Sequence, residues 1–251
     1  MSVSTSAPFK SKIAFIQGGA RGIGAAIALK LAEQGAAVAF TYVNSDAKAQ
    51  ALVAALQSLG TRALAIKADS ADADAVKNAI LTVVNTWGNL DILVNNAGIL
   101  AMAPIDSLSL EDFDRSFAVN VRSAFVASQV ASQHMNEHGR IINIGSINAE
   151  RVPFQGATAY AMSKSALVGL TKALAQDLAP RKITVNNVQP GPVNTDLNPD
   201  QGELAEGLKQ MIALGRYGQA SEIADFVSYL CSPSAAYITG ASLNIDGGFS
   251  I

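Results

Sequence analysis

Short apolar runs alternate with longer amphipathic ones along nearly the whole chain, and this alternation limits the fold more than any other feature. Lys12–Gln17 reads as a buried strand, Gly24–Gln34 as a helix, Ala37–Tyr42 as a strand and Asp46–Leu59 as a helix. A strand at Arg62–Asp69, a helix at Ala71–Trp87 and a strand at Leu90–Asn95 follow. Leu110–His134 reads as one long helix or two abutting ones, before a strand at Arg140–Ser146, a helix at Ala157–Leu178 and a strand at Ile183–Gln189. Helices at Leu204–Leu214 and Ser221–Leu230 precede a last strand at Ser242–Ile245. Helices between successive strands imply a parallel sheet covered on both faces. The expectation is therefore α/β: one doubly wound sheet, mostly or wholly parallel, in a single domain over 1–251, with 1–10 flexible. Long irregular stretches remain at Asn148–Gly156 and Pro190–Gly202, just past strand ends, where open α/β sheets bind ligands. Loops of that length are usually lids or binding loops, and 190–216 is expected to close over a substrate.

Composition narrows the partners. The 251 residues are 49% hydrophobic and 15% charged, with net charge -2. A chain without basic excess is a poor nucleic-acid binder. Cys231 is the single cysteine and there are two histidines, so neither an intrachain disulfide nor a structural zinc site is expected. No apolar run reaches membrane-spanning length, and the Ser-rich start lacks a signal-peptide core. The expectation is a cytoplasmic protein with no metal, nucleic-acid or membrane partner.

The first strand runs into Gly18-Gly19-Ala20-Arg21-Gly22-Ile23-Gly24, and a helix follows. Glycines there let the backbone approach a pyrophosphate, and the helix N-terminus adds free N–H groups. The second strand ends Tyr42-Val43-Asn44-Ser45 without the carboxylate that usually holds an NAD ribose. Arg21, Asn44, Ser45 and Lys48 can instead form a pocket for a 2′-phosphate, which favours NADP(H) over NAD(H). The plain alternative is that Arg21 is a solvated loop charge.

Tyr160 and Lys164 stand four residues apart, so on a helix they share a face. An ammonium beside a phenol favours the phenolate. Proton chemistry near neutral pH asks for a shift of about three units, or roughly 4 kcal/mol. Alone, this spacing is usually a surface pair. Its weight comes from the motifs around it.

Those motifs are G-G-A-R-G-I-G at 18–24, N-N-A-G at 95–98, Asn120, Ser146, Y-A-M-S-K at 160–164, P-G at 190–191 and D-G-G at 246–248. In that order they resemble the short-chain dehydrogenase/reductase family over essentially the whole chain. The likeness is greatest to bacterial NADPH-dependent ketoreductases and 3-oxoacyl-carrier-protein reductase-like members. V-Q-P-G-P-V-N-T-D at 188–196 also resembles biofilm-dispersal relatives of that group.

The resemblance implies a Rossmann-type fold, hydride exchange between NADP(H) and a ketone or aldehyde, and a homotetramer. It implies catalytic roles for Asn120, Ser146, Tyr160 and Lys164, with Tyr160 passing the proton and Lys164 holding the nicotinamide ribose. It places Gly18, Arg21, Gly22, Ile23, Gly24, Tyr42, Asn44, Ser45, Asp69 and Ser70 around the adenosine and pyrophosphate. It places Asn95, Asn96, Ala97, Gly98, Pro190, Gly191, Val193 and Thr195 near the ribose and nicotinamide.

One departure is Gln17, where the family usually has a threonine that holds the turn. The substrate wall is expected to include Ser146, Asn148, Phe154 and Tyr160, with Met102, Ile147, Pro153 and Leu197 nearby. Glu150 and Arg151 read either as contacts for a polar substrate tail or as solvated charges. Two alternatives stay open: an NAD-linked alcohol or sugar dehydrogenase, and a nucleotide-binding regulator on the same fold.

Overall fold

The computed structural model describes residues 7–251. Residues 1–6 of the expected flexible start lie outside the described residues. Residues 7–10 do not hang free: Phe9 is buried and its N–H donates to Gln34 O at 2.9 Å.

The strands are β1 Ile13–Gln17, β2 Ala37–Tyr42, β3 Ala63–Lys67, β4 Leu90–Asn95, β5 Met135–Ile144, β6 Thr184–Pro190 and β9 Ser242–Ile245. They form one sheet in the order β3-β2-β1-β4-β5-β6-β9, and every pairing in it is parallel. The order reverses between β1 and β4, which opens a crevice at the carboxyl ends of those strands. A two-residue pair, β7 Val193–Asn194 with β8 Gly218–Gln219, ties down part of the stretch read as irregular from sequence.

The helices are α1 Gly22–Glu33, α2 Asp46–Ser58, α3 Ala73–Trp87, α4 Leu110–Phe117, α5 Ser123–Gln133, α6 Thr158–Leu178, α7 Glu203–Met211 and α8 Ala220–Cys231. Alternate strand residues go to opposite faces. Ile16, Val38, Phe40 and Val94 therefore meet Ile27 and Leu31 of α1, Leu52 of α2 and Val227 of α8. Phe15, Ala39, Leu93 and Ile141 meet Ile80 of α3, Ala127 of α5 and Leu178 of α6. A third cluster packs Ala205, Leu208 and Ile212 against Ile147, Tyr217 and Phe249, which seats α7 over the loop after β5. Among the described residues, no helix is long and apolar enough to cross a membrane.

Leu110–His134, read as one long helix or two abutting ones, is two: α4 and α5 are joined by a π-helical turn, Ala118–Arg122. The Ser123 N–H bonds back to Ala118 O, and the wider turn carries Asn120 inward. Such turns are concentrated at functional sites. The sequence also set β5 too short: it begins at Met135, pairs with Leu90, and crosses a register shift before Arg140 joins Ile92.

Candidate active site

Three segments meet at the crevice: the glycine turn, the end of β5, and the first turns of α6. In the glycine turn, Gly18 and Gly22 have φ of 68° and 55°, a left-handed region that favours glycine. A Cβ at Gly24 would lie 2.4 Å from Gly18 O and 2.6 Å from Asn96 Nδ2. The turn is held by two amide contacts from Asn96, whose Nδ2 donates to Gln17 O at 3.1 Å and Gly18 O at 2.8 Å. Ala97 packs on Gly18, and Thr195 packs on Gly22. Ile23 is partly buried against the α1 core.

Gln17 does not replace the family threonine. Its side chain turns inward, donating to Ser123 O at 3.4 Å and accepting from Ser123 Oγ at 3.5 Å. The turn is fastened from the neighbouring strand instead, where Thr41 Oγ1 accepts from the Gly18 N–H at 2.9 Å. Asn95, grouped with the cofactor residues from sequence, also points into the core. Its Nδ2 donates to Asn143 Oδ1 at 2.8 Å and Ser128 Oγ at 3.1 Å.

At the adenosine end, Arg21 and Asn44 are exposed and Ser45 is half-buried. Tyr42 donates to Asp46 Oδ1 at 3.2 Å. Asp69 Oδ1 accepts from the Ala71 N–H at 2.9 Å. Asp69 is not the cap of α3: Asp72 takes that place, accepting from the N–H groups of Asp74 and Ala75. Ser70 is buried beside it.

Tyr160 and Lys164 do share one face of α6, with Lys164 Nζ 5.7 Å from the phenol ring centre. Lys164 is 4% exposed and donates to Ile144 O at 2.9 Å. Gly98 supplies the room: a Cβ there would come 3.4 Å from Lys164 Nζ and 3.5 Å from Asn120 Oδ1. Asn120 is fully engaged. Its Oδ1 accepts from the Ile99 N–H at 2.8 Å, and its Nδ2 donates to Ile99 O at 3.0 Å and Ser163 Oγ at 2.9 Å. Ser163 in turn donates to Tyr160 O at 2.7 Å, so Asn120 braces the turn that carries the phenol.

The electrostatics reverse part of the sequence reading. Tyr160 was expected to be acidified by Lys164. Burial instead holds the phenol above its ordinary value, and the opposing pull comes from a hydrogen bond with Ser146. Burial also pushes Lys164 down to about 8. The amine is buried and the phenol partly so, and desolvation disfavours the charged form of each.

Ser146 Oγ lies 3.1 Å from Asn148 Oδ1 and accepts from the Asn148 N–H at 3.1 Å. Its one proton serves Asn148 or Tyr160, not both at once. Asn148 is buried by this contact and by donating to Arg151 O at 3.3 Å. Ile147 is 1% exposed beneath α7, so it is core and not substrate wall. Met102, Phe154 and Leu197 do keep exposed apolar surface.

Glu150, read as a substrate contact or a solvated charge, is exposed to solvent and is also held by hydrogen bonds. It accepts from Gln189 Nε2 at 2.7 Å and Asn244 Nδ2 at 3.1 Å, tying the Ser146 loop to β6 and β9. The guanidinium carbon of Arg151 stacks 5.0 Å from the centre of the Phe249 ring. On the facing loop, the Gly191 N–H donates to Ile245 O, Pro190 pairs with Ile245, and Val193 is buried in β7. Neither the Glu150 tether nor the Thr41 contact has a local sequence signal, because both join segments far apart in the chain.

The family model described as Enoyl-(Acyl carrier protein) reductase matches residues 18–250. The chain belongs to the short-chain dehydrogenase/reductase family. It is a family of oxidoreductases, and this fold and motif order are its own. A short-chain dehydrogenase/reductase from Serratia marcescens BCRC 10948 is 64% identical, with TM-score 0.96 over 97% of this chain and 100% of that chain. A blue fluorescent protein from a metagenomic library, solved in complex with NADPH, is 48% identical, with TM-score 0.96 over 97% and 100%. By sequence, the chain is 45% identical to the cyclic-di-GMP-binding biofilm dispersal mediator protein of Escherichia coli (strain K12), over 96% of this chain and 98% of that protein.

Proposed function

We propose that this short-chain dehydrogenase/reductase uses NADP(H) to reduce a ketone or aldehyde to an alcohol, with Tyr160 as the proton donor. The observation that carries the reading is the convergence of Ser146, Tyr160 and Lys164 on a crevice edged by a tight glycine turn, in which Gly18 and Gly22 take left-handed φ and the α1 N-terminus follows. The residues present fit that cofactor. Gly18, Gly22 and Gly24 would take the pyrophosphate, Arg21, Asn44 and Ser45 the 2′-phosphate end, and Lys164 the nicotinamide ribose. NADP(H) bound to the solved metagenomic relative supports the choice of cofactor.

When bound, the reduced nicotinamide supplies the hydride. Ser146 and Tyr160 present hydroxyl groups to the carbonyl oxygen, where negative charge develops. Tyr160 then gives that oxygen its proton. The phenol, held above its ordinary value by burial, is in its proton-donating form at neutral pH. Lys164, neutral or charged near pH 8, is placed to return a proton to the site. Asn120 holds the α6 turn and the loop from Ile99 in place. We further propose that 190–216 forms the substrate lid.

The test is NADPH oxidation with a ketone panel. Tyr160→Phe should lower turnover by at least about 10³-fold, comparable to losing a general acid together with an oxyanion donor, while NADPH still binds. Wild-type turnover in that variant would refute the assignment.

A second reading, a nucleotide-responsive regulator, is favoured by the name of the Escherichia coli relative. Calorimetry with cyclic-di-GMP and with NADPH separates the two. We also propose a homotetramer. The small residues Ser165, Gly169 and Ala173 lie exposed along α6, next to exposed Met162 and Phe125. Light scattering would measure the assembly.

A further inference from the structure

The 2′-phosphate end of the crevice holds more than the two cations expected there. Lys48, in the first turn of α2, is ion-paired with Asp196, which follows β7. Arg21 also lies close enough to Asp196 to draw its carboxyl toward the ionised form. Arg21 has no side-chain hydrogen bond or ion pair of its own among the described residues. Thr195 packs on Gly22, which brings the Asp196 segment up to the glycine turn.

The other nearby carboxylate, Asp46, is engaged elsewhere. Lys67 Nζ donates to its oxygens at 3.4 and 3.3 Å, and Tyr42 donates at 3.2 Å. The cluster facing the end of β2 therefore holds two cations, Arg21 and Lys48, and one carboxylate, Asp196.

We propose that Asp196 tunes cofactor discrimination: its carboxylate partly neutralises the cations that would receive a 2′-phosphate, and so weakens the preference for the phosphorylated dinucleotide. This rests on the NADP(H) reading above. The side chains of Lys48 and Asp196 are 57% and 53% exposed. An ion pair in that setting adds little to stability. Its carboxylate still acts on a doubly charged phosphate nearby, and not on the neutral hydroxyl of NAD(H). Asp196 stays ionised across the neutral range, because Lys48 and then Arg21 hold its carboxyl below the ordinary value.

The test uses the full chain without substrate. Binding of adenosine 2′,5′-bisphosphate and of 5′-AMP is measured by calorimetry at low and high salt. Asp196→Asn should tighten the bisphosphate about fivefold more than it tightens 5′-AMP at low salt, as expected for one unit charge acting through solvent on the additional phosphate. The gain should shrink as salt rises, since the Debye length falls to about 8 Å at physiological strength. Asp196→Ala should behave the same way, which separates charge from the shape of the side chain. Lys48→Ala should move bisphosphate affinity in the opposite direction.

Unchanged or weaker bisphosphate binding in both Asp196 variants, with wild type still preferring the bisphosphate, would overturn this inference alone. A wild-type protein that binds the two nucleotides equally would overturn the NADP(H) reading itself.

Discussion

Replacing Lys164 by Met should stabilise the protein while removing its activity, and the gain should depend on pH. Lys164 is 4% exposed, and its pKa falls from 10.5 to about 8. In the unfolded chain the amine keeps its ordinary value. Below about pH 8 both states carry the charge, and the folded state bears the full cost of burying it. Between about 8 and 10.5 the unfolded state binds more protons, so wild-type stability from this residue rises with pH. The shift corresponds to about 3 kcal/mol. Methionine fills similar volume without a charge, but it leaves Ile144 O without its 2.9 Å donor, at a cost of about 1–2 kcal/mol. The expected net gain at pH 7 is about 1–2 kcal/mol.

The assay is urea unfolding of both proteins from pH 7 to 10. The quantity to follow is the difference between them. Taking the difference cancels Cys231, whose thiol is pushed up to about 12 by burial and which costs stability above pH 9. It also cancels other groups common to both chains. The advantage of the variant should shrink as pH passes 8 and vanish before 10.5. A difference that stays flat across this range would refute the claim that the charged amine is buried at a cost.

Two further outcomes follow from close contacts in the site. Gly24→Ala should cost about 1–3 kcal/mol and weaken NADPH binding at least tenfold, because its Cβ would sit 2.4 Å from the Gly18 carbonyl oxygen; fluorescence titration checks this, and unchanged affinity would show that the turn can shift. Glu150→Ala should lower kcat about tenfold with little change in NADPH affinity, since it removes two charge-assisted hydrogen bonds that hold the Ser146 loop. Glu150→Gln should recover part of the loss, and equal loss in both variants would argue against a tethering role.

Much of this architecture was legible in the order of residues. The strands at Ala37–Tyr42, Leu90–Asn95 and Ser242–Ile245 have the bounds read from the sequence; the first two are inner strands of a parallel sheet, apolar on both faces, and the third is its edge. The placement of Tyr160 and Lys164 on one side of α6 follows from helical period alone. Contacts between distant segments were not legible. Thr41 holds the glycine turn from the next strand, and Glu150 reaches two strands from a loop. Lys48 and Asp196 stand 148 residues apart and meet beside Gly22. Nothing within a few positions of any of these residues marks its partner.

The chain's residues by themselves determined the parallel sheet, the glycine turn at the crevice and the phenol–amine pair, since each depends on local period or on backbone freedom within a few residues. Folding in three dimensions decided the protonation of that pair. Desolvation depends on every atom packed around a group, and here it overrides the attraction that spacing alone suggested.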